Sequence, residues 1–98
     1  MNLTEKKLAE LVRRMTGRGH IKSIKAEFEA EGTRSDELLR LLDVTRHCDV
    51  PLTLKIGGCE AVKDLYEARQ FGAHYIVAPM IESSYALRKF IDTIDEVY

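Results

Sequence analysis

The chain has no Trp, only two Pro and two Cys, and no excess of charge of either sign. Each shortage excludes something. Fifteen Lys and Arg against sixteen Asp and Glu leave a formal net charge of -1, so no basic surplus exists to hold nucleic acid or an anionic membrane. Tyr66, Tyr75, Tyr85 and Tyr98 do not alternate with basic residues, as a stacking surface for nucleic acid would. Apolar stretches such as Tyr75 to Ala78 fall far short of the ~20 residues of a membrane-crossing helix. The start, MNLTEKKLAEL, lacks the apolar run of a signal peptide, so a cytoplasmic location is expected. Cys48 and Cys59 match no common metal-ligand spacing, and two free, reduced thiols are expected. His20, His47 and His74 are scattered without ligand spacing and read as surface or packing residues.

What is present is ordinary globular material: 45% hydrophobic and 32% charged residues over 98 positions, with no linker or composition break. That predicts one small domain over residues 1–98. Asn2 to Met15 reads as a helix, with Leu8, Leu11, Val12 and Met15 on one face, Thr4 or Asn2 as its cap, and Gly17 as its end. Ser23 to Glu31 alternates strictly and predicts a strand, with Ile24, Ala26, Phe28 and Ala30 on one side and Lys25, Glu27, Glu29 and Glu31 on the other. Ser35 can cap a second helix that packs through Leu38, Leu39, Leu41, Leu42 and Thr45 and ends near His47. Val50 to Ile56 predicts a second strand, broken by Gly57-Gly58. A helix from about Cys59 to Phe71 ends at Gly72. Tyr75 to Ile81 predicts the third strand, and Ser83 or Ser84 caps a last helix with the stripe Leu87, Phe90, Ile91, Ile94 and Val97.

The order helix, then three strand–helix units, implies parallel strands with right-handed crossovers. Three helices then share one face of the sheet, and the first helix cannot easily cover the other, although parallel sheets are normally covered on both. The polar side of the first strand faces that gap, with Thr53 and Lys55 of the second strand in the same phase and Lys55 placed to neutralise Glu27 or Glu29. Two readings stand side by side. The charges pair across strands inside a barrel, or they are solvated on an open face.

Three segments carry a resemblance: Lys25 to Gly32 (KAEFEAEG), Leu54 to Gly58 (LKIGG) and Tyr75 to Ser83 (YIVAPMIES). The last resembles the V-P-M-x-E-[ST] strand end of the phosphoenolpyruvate/pyruvate barrel superfamily. Together, over roughly residues 20 to 98, they resemble the 2-keto acid aldolase and citrate-lyase β-subunit-like family. The resemblance implies a partial TIM barrel of about three strand–helix units, too short to be a whole enzyme, because a complete barrel takes ~250 residues. It also implies a lyase acting beside a keto acid or acyl-thioester, with Mg²⁺ or Mn²⁺. By position, Glu29 and Glu31 fall on the family's acidic pair, Gly32 on its His, and Lys55 near its Arg. Lys supplies charge without the two-pronged fork of Arg, and the family's metal carboxylates fall beyond Tyr98.

Candidate catalytic residues are therefore Glu29, Glu31 and Lys55, and candidate substrate-binding residues are Lys55, Gly57, Gly58 and Glu82; the metal ligands stay unassigned. All would lie near the C-terminal ends of parallel strands, where active sites of such folds form. The bland alternative is ion pairing between strands, with the two glycines serving only the turn and Glu60, in the first turn of the helix, repelling an anion. Gly17-x-Gly19 follows no strand and is no dinucleotide fingerprint. The expected function is a lyase-like barrel segment, inactive alone. The alternative is a non-catalytic α/β domain that self-associates or binds a partner. Unpaired strand edges favour a homo-oligomer in either case.

Overall fold

The computed structural model describes residues 1–98. Seven elements occur in the expected order: α1 (Leu3–Gly17), β1 (Ile24–Glu27), α2 (Ser35–Cys48), β2 (Leu52–Lys55), α3 (Val62–Phe71), β3 (Tyr75–Val77) and α4 (Ser84–Val97). The strands form one parallel sheet in the order β1-β2-β3. Ala26, Leu54 and Ile76 lie side by side across it, as do Glu27, Lys55 and Val77.

Every strand is shorter than the span expected from sequence, Ser23 to Glu31, Val50 to Ile56 and Tyr75 to Ile81. Phe28 N–H still donates to the Lys55 carbonyl at 3.2 Å, but β2 then leaves the sheet at Gly57-Gly58. With no partner, residues 29–32 fold into a turn closed by Gly32 N–H on the Glu29 carbonyl (3.2 Å), Gly32 itself taking φ 62°. Glu29 and Glu31 therefore lie past the end of β1, not on it. At β3, Pro79 has no N–H to extend a ladder, and Met80 takes the left-handed φ of 48°.

Helix ends follow cap chemistry where a short polar side chain is in place. Asn2 Oδ1 accepts from Glu5 N–H (2.8 Å) while the Glu5 carboxylate accepts from Asn2 N–H (2.9 Å), a reciprocal box. Ser83 Oγ accepts from Ala86 N–H (3.1 Å), and Gly72 ends α3 at φ 75°. Ser35 is not a cap. Arg34 occupies that position without a side-chain bond to the helix backbone, and its guanidinium instead holds Asp36 and Glu37 (3.1 and 3.0 Å). The third helix starts at Val62, so Glu60 precedes it and pairs with Lys89 of α4 at 3.4 Å.

All four helices lie on the side of the sheet marked by Ile24, Ala26, Leu52, Leu54 and Ile76. Leu38 and Leu42 of α2 and Ala68 of α3 pack directly on Ala26, Leu52 and Leu54. Ala9 and Val12 of α1 pack on Val44 and Cys48 of α2 beside Val50. Val97 of α4 reaches Leu65 of α3 and Ile56. The outer two helices thus contact other helices more than sheet, and a narrow arc of each suffices. Leu8 and Leu11 of α1 are 44% and 48% exposed, and Leu87 and Ile91 of α4 are 46% and 48% exposed, instead of facing inward. Leu39 of α2 is exposed too.

Both cysteines are free. Buried Cys48 donates to the Ala9 carbonyl at 3.2 Å, and its burial pushes the thiol pKa up. No helix is long and apolar enough to cross a membrane.

Candidate functional site

The opposite sheet face has no helix over it. It carries Lys25 and Glu27 from β1, Thr53 and Lys55 from β2, and Tyr75 and Val77 from β3. Thr53 and Glu27 are nonetheless sheltered, at 7% and 9% exposure, because their neighbours lean across them. Thr53 Oγ1 donates to Ser23 Oγ at 2.9 Å. Glu27 accepts a hydrogen bond from Lys25, two positions earlier on the same strand, and lies 3.8 Å from Lys55 Nζ across the rung. The Lys25 hydrogen bond holds the Glu27 carboxyl below its ordinary range; partial burial opposes this, and the charges of Lys25 and then Lys55 add to it. Lys55, which the sequence places to neutralise Glu27 or Glu29, does pair with Glu27 but is not its main counter-charge. Lys25 takes that part because its side chain lies alongside Glu27 without spanning a strand gap. Lys55 sits at the outer limit of ion pairing and keeps an accessible ammonium.

At the C-terminal ends of β1 and β2, a cleft of about 130 Å³ is lined by Glu27, Glu29, Ala30, Lys55 and Ile56. Gly57 follows Ile56 at its edge and lies against Glu29. A Cβ at Gly57 would stand 2.5 Å from Glu29 Oε2 and 3.1 Å from Asp64 Oδ2, so the ends of two carboxylate side chains occupy the space beside the missing side chain. Gly57 N–H donates to Asp64 Oδ2 at 2.8 Å. The amide that a strand–helix turn could offer an anion is therefore already occupied, and Asp64, in the first turn of α3, is the acid that stands there instead of Glu60. Gly58 has open space around its α-carbon.

Of the residues singled out from sequence, the fold brings Glu29, Lys55 and Gly57 together. Glu31 lies exposed in the turn after β1, and Glu82 is exposed before α4; neither lines the cleft. Lys25 and Asp64 were not singled out as site residues, although the period-two alternation of Lys25 and Glu27 and the position of Asp64 in the first turn of α3 carry that information. No three His, Cys, Asp or Glu side chains gather in a geometry that could hold a metal ion. The residues present do not fit the divalent-metal centre that the aldolase resemblance implies, and no chemical step is routed through one.

A larger hollow of about 390 Å³ lies at the other end of the strands, among Thr45, Arg46, Asp49, Pro51 and His74. It is away from the C-terminal strand ends where parallel folds gather their chemistry, and His74 Nδ1 there accepts a bond from Leu52 N–H at 3.3 Å, a structural use. Comparison with protein-family models, with characterised proteins and with solved structures yields no match.

Proposed function

We propose that the chain is a strand–helix segment of a lyase-like parallel barrel, of the aldolase and citrate-lyase type, that binds the carboxylate of a keto acid or acyl-thioester but does not complete the reaction alone. One observation carries this reading. All four helices cover one face of a parallel sheet, and the face without a helix bears a sheltered carboxylate, Glu27, paired with the more exposed Lys25 and Lys55, a pattern that suits positions pointing into a barrel. Lys55 is the cation for the substrate carboxylate, because Lys25 already satisfies Glu27. Glu29 stands across the cleft as a proton acceptor. The fork of an Arg, a His base and a metal set are missing from this cleft, so positioning is incomplete, and errors of ~1 Å can cost ~100-fold in rate.

The test is a titration of the isotopically labelled chain with pyruvate and with oxalate, followed by amide chemical shifts. Millimolar binding that moves Glu29, Lys55 and Gly58 and is lost in Lys55→Met is expected. Shifts confined to the Arg46 and His74 end, or none, would overturn the reading. Incubation with Mg²⁺ or Mn²⁺ and a panel of keto acids and acyl-thioesters is expected to give no turnover. Metal-dependent turnover that disappears in Glu29→Gln would make the chain an enzyme by itself.

A second reading is a non-catalytic α/β domain that self-associates. The exposed apolar surface of α4 and β3 favours it: Leu87, Ile91, Tyr75 and Tyr98 all face solvent.

A further inference from the structure

Helix α4 presents two apolar stripes. The first, Phe90 and Val97 with Thr93, faces the core. The second, Leu87, Ile91, Ile94 and Tyr98, is spaced four, three and four residues apart, the interval that keeps side chains on one seam of a paired helix; half-buried Ile94 is its inner member and also packs against the core. Three members of this seam are largely exposed, Tyr98 at 55%. Ile94 and Tyr98 also line an open apolar trough of about 430 Å³ that runs on to Tyr75 and Ile76 at the β3 edge. The seam and the trough therefore form one continuous apolar surface.

We propose that this surface docks a second copy of the chain, with the two α4 helices antiparallel across a two-fold axis. The charges beside the seam select that occupant and that direction. On the side away from the core, the seam is flanked by Arg88 and Asp95, one turn-pair apart on the exposed face. Neither takes part in any ion pair within the chain. Lys89, by contrast, is held back by Glu60 and by the Tyr85 ring. In an antiparallel pair, Arg88 of one copy comes opposite Asp95 of the other, twice by symmetry, while Leu87 layers on the second Tyr98 and Ile91 on the second Ile94. In a parallel pair Arg88 and Asp95 would instead face the core-side flank of the other helix, where Phe90 and Val97 lie, and would meet no opposite charge. Helix α1 exposes Leu8 and Leu11 beside a half-buried Met15, but Lys7 and Arg14 share one flank of that stripe, so an antiparallel pair of copies would set like charges together. A two-fold, self-complementary patch is the commonest way for a chain to pair with itself.

Sedimentation of the whole chain over a concentration series tests this. The mass is expected to rise from the 11.2 kDa monomer towards twice that value. Ile91→Glu is expected to remain monomeric with an unchanged helical circular dichroism signal, whereas Leu11→Glu is expected to dimerise like the parent. Arg88→Asp and Asp95→Arg are each expected to weaken the dimer roughly tenfold, and the double exchange to restore it. A monomer at every concentration would overturn the proposal. So would dissociation by Leu11→Glu but not Ile91→Glu, or losses from the two charge changes that simply add. A persistent monomer that co-sediments with phosphatidylcholine–phosphatidylserine vesicles would give the seam to a lipid surface instead.

Discussion

Glu27 has two cations within reach and uses them unequally. Lys25 hydrogen-bonds it, while Lys55 stands 3.8 Å away. The Glu27 pKa is depressed below its ordinary value of 4.5, so its contribution to stability is present above that value and is lost as pH falls through the folded-state pKa. Lys25→Met is therefore expected to lower the denaturation midpoint at pH 7, and the gap from the parent is expected to close as acid protonates Glu27 in both proteins. Lys55→Met is expected to shift the midpoint less at every pH. Urea denaturation curves at a series of pH values measure both. Equal losses for the two substitutions would mean that the cross-strand pair matters as much as the one along the strand. Gly57 gives a second prediction at this scale. Its missing side chain leaves room for Glu29 Oε2, only 2.5 Å from where a Cβ would sit. That atom is the end of a flexible chain and can swing away, so Gly57→Ala is expected to cost about 1 kcal/mol or less in stability. It is also expected to displace Glu29 and change the response of the cleft to pyruvate. Unchanged amide shifts at Glu29 would count against that geometry.

Among the elements, caps were legible in part and strand ends were not: of the short polar residues offered as caps, Asn2 and Ser83 serve, whereas Ser35 lies inside its helix behind Arg34. Asn2 and Ser83 announce their helices, and Gly72 announces an end, because each bonds or bends the backbone locally. Asn2→Ala is expected to cost ~1 kcal/mol, measured by chemical denaturation. The Asn2 backbone N–H, which first holds the Glu5 pKa down with the Arg40 guanidinium adding to that effect, survives the substitution, so the loss is expected to stay the same in acid. A strand end depends on its partner. Lys25 to Glu31 alternates for seven residues, but the ladder stops where β2 turns at Gly57, and nothing within KAEFEAEG reports that. Helix faces were blurred for a related reason. The wide apolar arcs of α1 and α4 mark an amphipathic helix without saying which part meets the protein, because these outer helices bury a narrow strip against another helix.

At the scale of the whole molecule, topology was the most legible feature. Parallel strands in sequential order follow from strand–helix alternation alone. The candidate site was legible in part. Strand ends gather Glu29, Lys55 and Gly57, whereas Glu31 and Glu82 are carried away by turns whose paths depend on φ at Gly32 and Met80. The same architecture links assembly to stability. A small one-sided sheet leaves much of its apolar surface in contact with water, and the α4 seam is part of that surface. A partner that binds only the folded chain stabilises it by mass action, so the melting temperature becomes dependent on protein concentration. In a domain of this size each kcal/mol moves that temperature by roughly 4–8 °C, so a tenfold rise in concentration is expected to raise it by a few degrees once dimer forms. Ile91→Glu should abolish the dependence while leaving the melting temperature of dilute protein unchanged or slightly higher, since it replaces an exposed apolar side chain by a charged one. Calorimetry of both proteins at several concentrations makes the comparison. A parent melting temperature that ignores concentration would mean that the seam does not bind the folded chain. A drop in the dilute variant would mean that Ile91 supports the fold of a single copy and not the contact between two.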